Sequence, residues 1–174
     1  MTAKTPLEDL QNALPQQGVV VWIGLSSGHR SLIQAVEEAE VLVGTGLVGD
    51  HHSQRRKGGK RQVTLIQAEH LAAVGELLHR DALRPEEVRR NIVVRGINLL
   101  ALKGRQFQLG EILLECTGPC EPCSRLEENL GPGGWNAMRG HGGITARVLE
   151  GGTVRVGDPV KALPIGGKAV ANCE

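Results

Sequence analysis

Short apolar runs, most of them closed by a glycine-bearing turn, recur along this chain, and such punctuation favours strands over long helices. Gly18 to Leu25 is the first, followed by the loop Ser26-Ser27-Gly28, and Ala39 to Val43 ends at Gly44-Thr45-Gly46. Gln62 to Ile66, Asn91 to Arg95, Phe107 to Leu109 and Ile112 to Cys116 follow, the last two joined by a turn at Gly110. Ile144 to Leu149 and Thr153 to Val156 are expected to pair across Glu150-Gly151-Gly152 as a hairpin, and Val160 to Leu163 is the final strand. Glycine supplies 24 of 174 residues, twice its usual share of about 7%.

Helical signals are few. Ala68 to His79 places Leu71, Val74, Leu77 and Leu78 on one face. Pro85-Glu86-Glu87 opens a short helix, with proline in the first turn and acids against the positive dipole end. Ser124 to Leu130 reads as a third. Seven or eight strands with little βαβ pattern predict a mainly β fold, a barrel that closes its own edges, with short peripheral helices. Residues 1–17 read as an N-terminal arm or short capping helix, 18–163 as the barrel domain and 164–174 as a flexible, glycine-rich C-terminal tail.

Composition excludes several classes of function. Twenty Lys+Arg against 19 Asp+Glu leave no global field for nucleic acid or membrane. Trp22, Trp135 and Phe107 are too few to build a base-stacking platform. The longest apolar run near the N-terminus, Val19 to Ile23, falls far short of the roughly 18 residues that span a bilayer. Cysteines without an export signal suit a reducing cytoplasm.

The chemistry concentrates in Thr117-Gly118-Pro119-Cys120-Glu121-Pro122-Cys123-Ser124-Arg125-Leu126. Two prolines and a glycine mark a rigid loop, and Cys123 lies where that loop meets a helix, a setting in which thiolates are reactive. Cys116, Cys120 and Cys123 read as C-x3-C-x2-C, which invites an iron–sulfur reading. Strand parity argues against it: Cys116 shares a face with Ile112 and Leu114, and so belongs to the core. No second ligand pair stands at zinc-site spacing from Cys120 and Cys123. A dithiol role stays open, because Cys-Glu-Pro-Cys resembles the redox motif of thioredoxins.

Two further segments point to an anionic ligand. Gly49 to Arg61 holds Arg55, Arg56, Lys57, Lys60 and Arg61, forks and ammonium groups suited to phosphate oxygens. Arg139-Gly140-His141-Gly142-Gly143 can turn several N–H groups toward one point. Read alone, the first is more often a solvated loop and the second more often a plain turn with a surface histidine.

In order, Gly46-Leu47-Val48-Gly49-Asp50, Arg61 to Ile66, Arg90 to Val94, Pro122-Cys123, Gly140 to Gly143 and Val156-Gly157-Asp158 resemble the MOSC family, named for the C-terminal domain of molybdenum cofactor sulfurase. The likeness runs from about Gly18 to Leu163 and implies a MOSC-type β-barrel carrying a molybdenum cofactor (molybdopterin) site. The family's functional cysteine falls on Cys123, as molybdenum ligand or persulfide carrier, since a thiolate serves in both. Lys60, Arg61, Gly142 and Gly143 become candidate partners of the cofactor's phosphate, with Asn91, Arg139 and His141 beside them. Cys120 stands where other members often carry a different residue. The resemblance implies a small molybdenum-dependent oxidoreductase acting on N-hydroxylated substrates, or a sulfur carrier in cofactor sulfuration, or a cofactor carrier without turnover. A cysteine desulfurase or an electron-donor protein is the partner those readings call for. The chain has no room for a pyridoxal phosphate domain.

Overall fold

The computed structural model describes residues 6–28, 30–51 and 57–165. Helix α1 (Pro6–Asn12) leads into β1 (Gln17–Leu25), β2 (Gln34–Val36), β3 (Glu38–Leu42) and β4 (Gly46–Leu47). Then come β5 (Val63–Gln67), α2 (Ala68–Leu77), α3 (Pro85–Val88) and β6 (Ile92–Arg95). A 3-10 turn (Leu99–Leu102) precedes β7 (Gln106–Leu109) and β8 (Ile112–Pro119). The chain continues through α4 (Ser124–Leu130), α5 (Gly134–Met138), β9 (Ile144–Glu150), β10 (Gly152–Arg155) and β11 (Pro159–Ala162).

The strands build a closed barrel. Their order is β11-β7-β8-β9-β5-β6-β1, with β11 pairing back onto β1 and β2 appended beyond β1. Closure rests on the antiparallel register Gln17↔Lys161, Gly18↔Val160, Val19↔Pro159. Inside lie Val20, Leu65, Val94, Phe107, Leu114, Ala146 and Val160, all buried. Cys116 joins them, as strand parity predicts. Helices cover one outer flank, where Ile66 and Val93 pack against Leu71, Val74, Val88, Leu126, Leu130 and Met138. That second layer explains why β5 is buried along its whole length, with apolar residues on both faces.

Three features depart from the sequence reading, and a bulge in β1 adds a local irregularity. β5 and β6 run parallel and are joined through α2 and α3, so the barrel contains one βαβ crossover. The expected hairpin between β9 and β10 does not form. β9 already has β5 on one edge and β8 on the other, so β10 leaves the barrel and pairs with β3 in a small second sheet, β10-β3-β4. A register shift between Val20 and Trp22 breaks the period-two pattern of β1. Val20 and Ile23 therefore both face the barrel interior, while Val21 and Trp22 face the helical layer. Leu77, assigned to the buried face of α2, is exposed near the end of that helix.

Candidate functional site

The cysteine loop is fixed from several sides. After β8, the Cys120 N–H donates to the Gly143 carbonyl at 2.9 Å, and the Cys120 carbonyl accepts from Arg90 Nη2 at 3.3 Å. The two glycines of that turn permit this approach. A Cβ on Gly142 would stand 2.1 Å from the Cys120 carbonyl oxygen, and one on Gly143 (φ +81°) 1.9 Å from the Leu65 oxygen. Cys123 then caps α4 in extended conformation, its carbonyl accepting the Leu126 N–H at 2.9 Å. Leu126 and Leu130 bury that helix against the barrel's outer flank. Cys116 and Cys120 are buried free thiols, and Cys123 is an exposed one. Burial pushes the Cys116 thiol up, as its place in the core requires. Cys173 lies outside the described residues.

Cys123 opens onto a cavity of about 350 Å³ at the end of β1, lined also by Gly24, Ser26, Asp50, His51, Arg61, Arg89, Arg90, Asn91 and Arg125. Four arginines and one aspartate are thus among the described lining residues. Arg90 is 2% exposed, and its fork is held by the carbonyls of Gly142 (2.8 Å), Val88 (2.9 Å) and Cys120 (3.3 Å). Burial pushes its pKa down, the two sulfurs of Cys120 and Cys123 pull it back up, and Arg61 pushes it down again. Arg89 takes the left-handed conformation (φ 55°), uncommon for a side chain of this size. Burial lowers its pKa most, followed by the nearby charge of Arg125, with Cys123 and Asp50 opposing. Cations gathered around one cavity are what an anionic ligand requires.

Asn91 holds the cavity floor together. Its Oδ1 accepts from the Thr64 N–H (3.1 Å) and hydroxyl (2.9 Å), and its Nδ2 donates to Asp50 Oδ2 at 3.0 Å. Asp50 Oδ2 also accepts the Ser26 N–H at 3.0 Å. His51 Nδ1 lies 3.2 Å from the Ser26 carbonyl and 3.6 Å from Asp50 Oδ1. With its proton on Nδ1, the ring would donate to the Ser26 carbonyl.

Of the residues singled out from sequence, Cys123, Arg61 and Asn91 meet at this cavity. The others lie outside its lining. Lys60 is exposed, and its carbonyl accepts from the Thr117 hydroxyl at 2.7 Å. Arg139 stacks over the Trp135 ring at 5.5 Å. His141 meets His70 edge to face, with centroids 4.9 Å apart. Gly142 and Gly143 turn their carbonyls to Arg90 and Cys120 behind the cavity. His52, Arg55 and Arg56 fall outside the described residues. Among the described residues no group of three or more His, Cys, Asp or Glu is disposed to hold a metal ion. No helix among them is long and apolar enough to cross a membrane. Sequence reasoning gave Asp50, His51, Arg89, Arg90 and Arg125 no role in the site. The available signal was Arg89-Arg90-Asn91, two cations and an amide directly before the apolar run Ile92-Val93-Val94.

The family model of the MOSC domain matches residues 49–161. The chain belongs to the MOSC family. MOSC domains are in general associated with the molybdenum cofactor. In fold this member is similar to the YUAD protein from Bacillus subtilis, at TM-score 0.73 and 17% identity over 86% of this chain and 97% of that one. It is also similar to YiiM from Escherichia coli, at TM-score 0.64 and 20% identity over 83% of this chain and 69% of that one. YiiM from Geobacillus stearothermophilus gives 0.62 and 20% over 90% and 79%. No curated protein matches the sequence.

Proposed function

We propose that this MOSC protein binds the molybdenum cofactor in the Cys123 cavity and works as a small oxidoreductase on N-hydroxylated substrates. One observation carries the reading: an exposed cysteine, Cys123, and four arginines line the same cavity. The donor set fits the group, with a soft sulfur for molybdenum and arginine forks for the pterin's phosphate. A volume of about 350 Å³ also falls within the range of about 300–1,000 Å³ typical of small-molecule sites.

The bound cofactor would supply two-electron redox chemistry at its metal. Cys123 Sγ would be the protein ligand. Arg61, Arg89 and Arg125 would hold the phosphate, while Arg90, bound to three carbonyls, keeps the loop and the cavity floor in register and adds positive potential. Reducing an N-hydroxyl group takes two electrons and two protons and releases water, so an electron-donor protein must supply the electrons. His51 lines the cavity beside Asp50 and is placed to carry a proton to the bound substrate.

The test is to purify the chain from cells that make the cofactor and to measure bound molybdenum. Near one metal per chain is expected, with Cys123→Ser losing it while its circular dichroism stays unchanged. Metal-free protein carrying transferable sulfane sulfur on Cys123 would overturn this reading in favour of sulfur delivery.

A further inference from the structure

We infer that Trp135 and Glu127 are positioning residues that hold the Pro122–Cys123 peptide so that the Cys123 sulfur faces the arginines of the cavity. The inference rests on the role proposed for Cys123 and deepens it. Trp135 Nε1 donates to the Pro122 carbonyl at 3.1 Å, on the peptide bond that enters Cys123. The backbone of Trp135 is held in turn by Glu127: Oε2 accepts the Trp135 N–H and Oε1 the Gly133 N–H, both at 2.8 Å. Glu127 lies on α4, the helix that Cys123 caps. The connections close a ring: Cys123 to α4, α4 through Glu127 to the start of α5, and α5 through the indole back to Pro122.

The ring does what packing does not do there. Trp135 is 39% exposed, so its indole is not held only by burial, and Arg139 stacks over its ring. The hydrogen bonds from Trp135 and Gly133 hold the Glu127 carboxyl below the usual carboxylate range, which keeps it ionised and accepting. On the cavity side, Arg61, Arg89 and Arg125 line the same cavity as Cys123, so a charge on its sulfur would couple to theirs. A swing of the Pro122–Cys123 peptide would weaken that coupling without emptying the core.

The experiment uses cofactor-free full-length protein and two probes of similar size, iodoacetate and iodoacetamide. In each, the Cys123 sulfur displaces iodide and forms a thioether, and the modified peptide is followed by mass spectrometry. The ratio of the anionic to the neutral rate reads how strongly the arginines act at the sulfur; general exposure raises both rates alike. In the native chain this ratio should exceed that of a free cysteine peptide, and salt should reduce it. Trp135→Phe keeps the ring but removes the N–H donor, and it should lower the ratio about threefold with circular dichroism unchanged. Glu127→Gln should lower it in the same direction, and it decides the matter if the tryptophan variant does not fold. A native ratio no higher than the peptide's overturns the inference, as does an unchanged ratio in the folded variants. Absence of molybdenum from native protein made in cofactor-competent cells would sink the cofactor reading and leave this ratio unaffected.

Discussion

Arg61 and Lys60 are neighbours in sequence, yet only Arg61 reaches the cavity, so they separate a ligand contact from a surface charge. A charge-assisted hydrogen bond to phosphate contributes about 1.5–3 kcal/mol, or roughly ten- to hundredfold in affinity. Arg61→Gln should therefore weaken cofactor binding at least about tenfold, and Lys60→Gln less than about threefold, in titrations at matched ionic strength. Equal effects would return both to the surface. Cys116 makes the complementary test. Its thiol sits in the barrel core, so Cys116→Ser should cost about 1–3 kcal/mol of unfolding free energy in a urea titration while leaving the cavity intact. Parity alone placed Cys116, because a two-residue period decides which face a strand residue takes. Arg90 was not legible in the same way. Its burial depends on carbonyls from Gly142, Val88 and Cys120, and two of these lie 30 or more residues away.

The elements around the cavity are short and depend on one another. α5 has five residues and no apolar period to reveal it. It starts where Glu127, from α4, caps its first N–H groups, a partnership that no local window contains. The Gly140–Gly143 turn was legible as a glycine cluster, but its work is close packing against β5 and the cysteine loop. Gly143→Ala should cost about 2–4 kcal/mol, because both its φ and the Leu65 oxygen oppose a Cβ. Thermal unfolding would show it, and an unchanged midpoint would mean that the turn tolerates a shift. On α2, burial lowers the pKa of His70 most, with the charge of His141 adding to it. The sign follows from proton counts. Below the ordinary value of 6.5 the unfolded chain takes a proton that the folded His70 resists, so stability falls as pH drops through that value. Urea midpoints measured at about pH 7.5 and about pH 5.5 should drop on acidification, and less so in His70→Gln. The same acid sensitivity in both proteins would assign the effect to another group.

Across the whole molecule, most strands and the barrel were legible because glycine turns and alternating apolar residues mark each run locally. Who pairs with whom was not. The β9–β10 hairpin signal is sound as local chemistry, but it was overridden because β5 and β8 occupy both edges of β9. The β1–β11 seam is likewise invisible in sequence, since it joins residues more than 130 positions apart. Gly18 sits on that seam opposite Val160, with Ile97 Cγ2 and Val94 Cγ1 only 2.5 and 2.9 Å from where a Cβ would stand. Its φ is not in the left-handed region, so space alone demands glycine there. Gly18→Val should therefore overpack the seam and cost about 1–3 kcal/mol in urea unfolding. The cavity lies at the other end of β1, at Gly24 and Ser26, about 20 Å along an extended strand from Gly18. Molybdenum per folded chain should accordingly stay at the native level. If stability holds, the neighbouring Ile97 and Val94 side chains can give way. If the metal is lost along with stability, closure of the barrel and shape of the cavity are a single cooperative property.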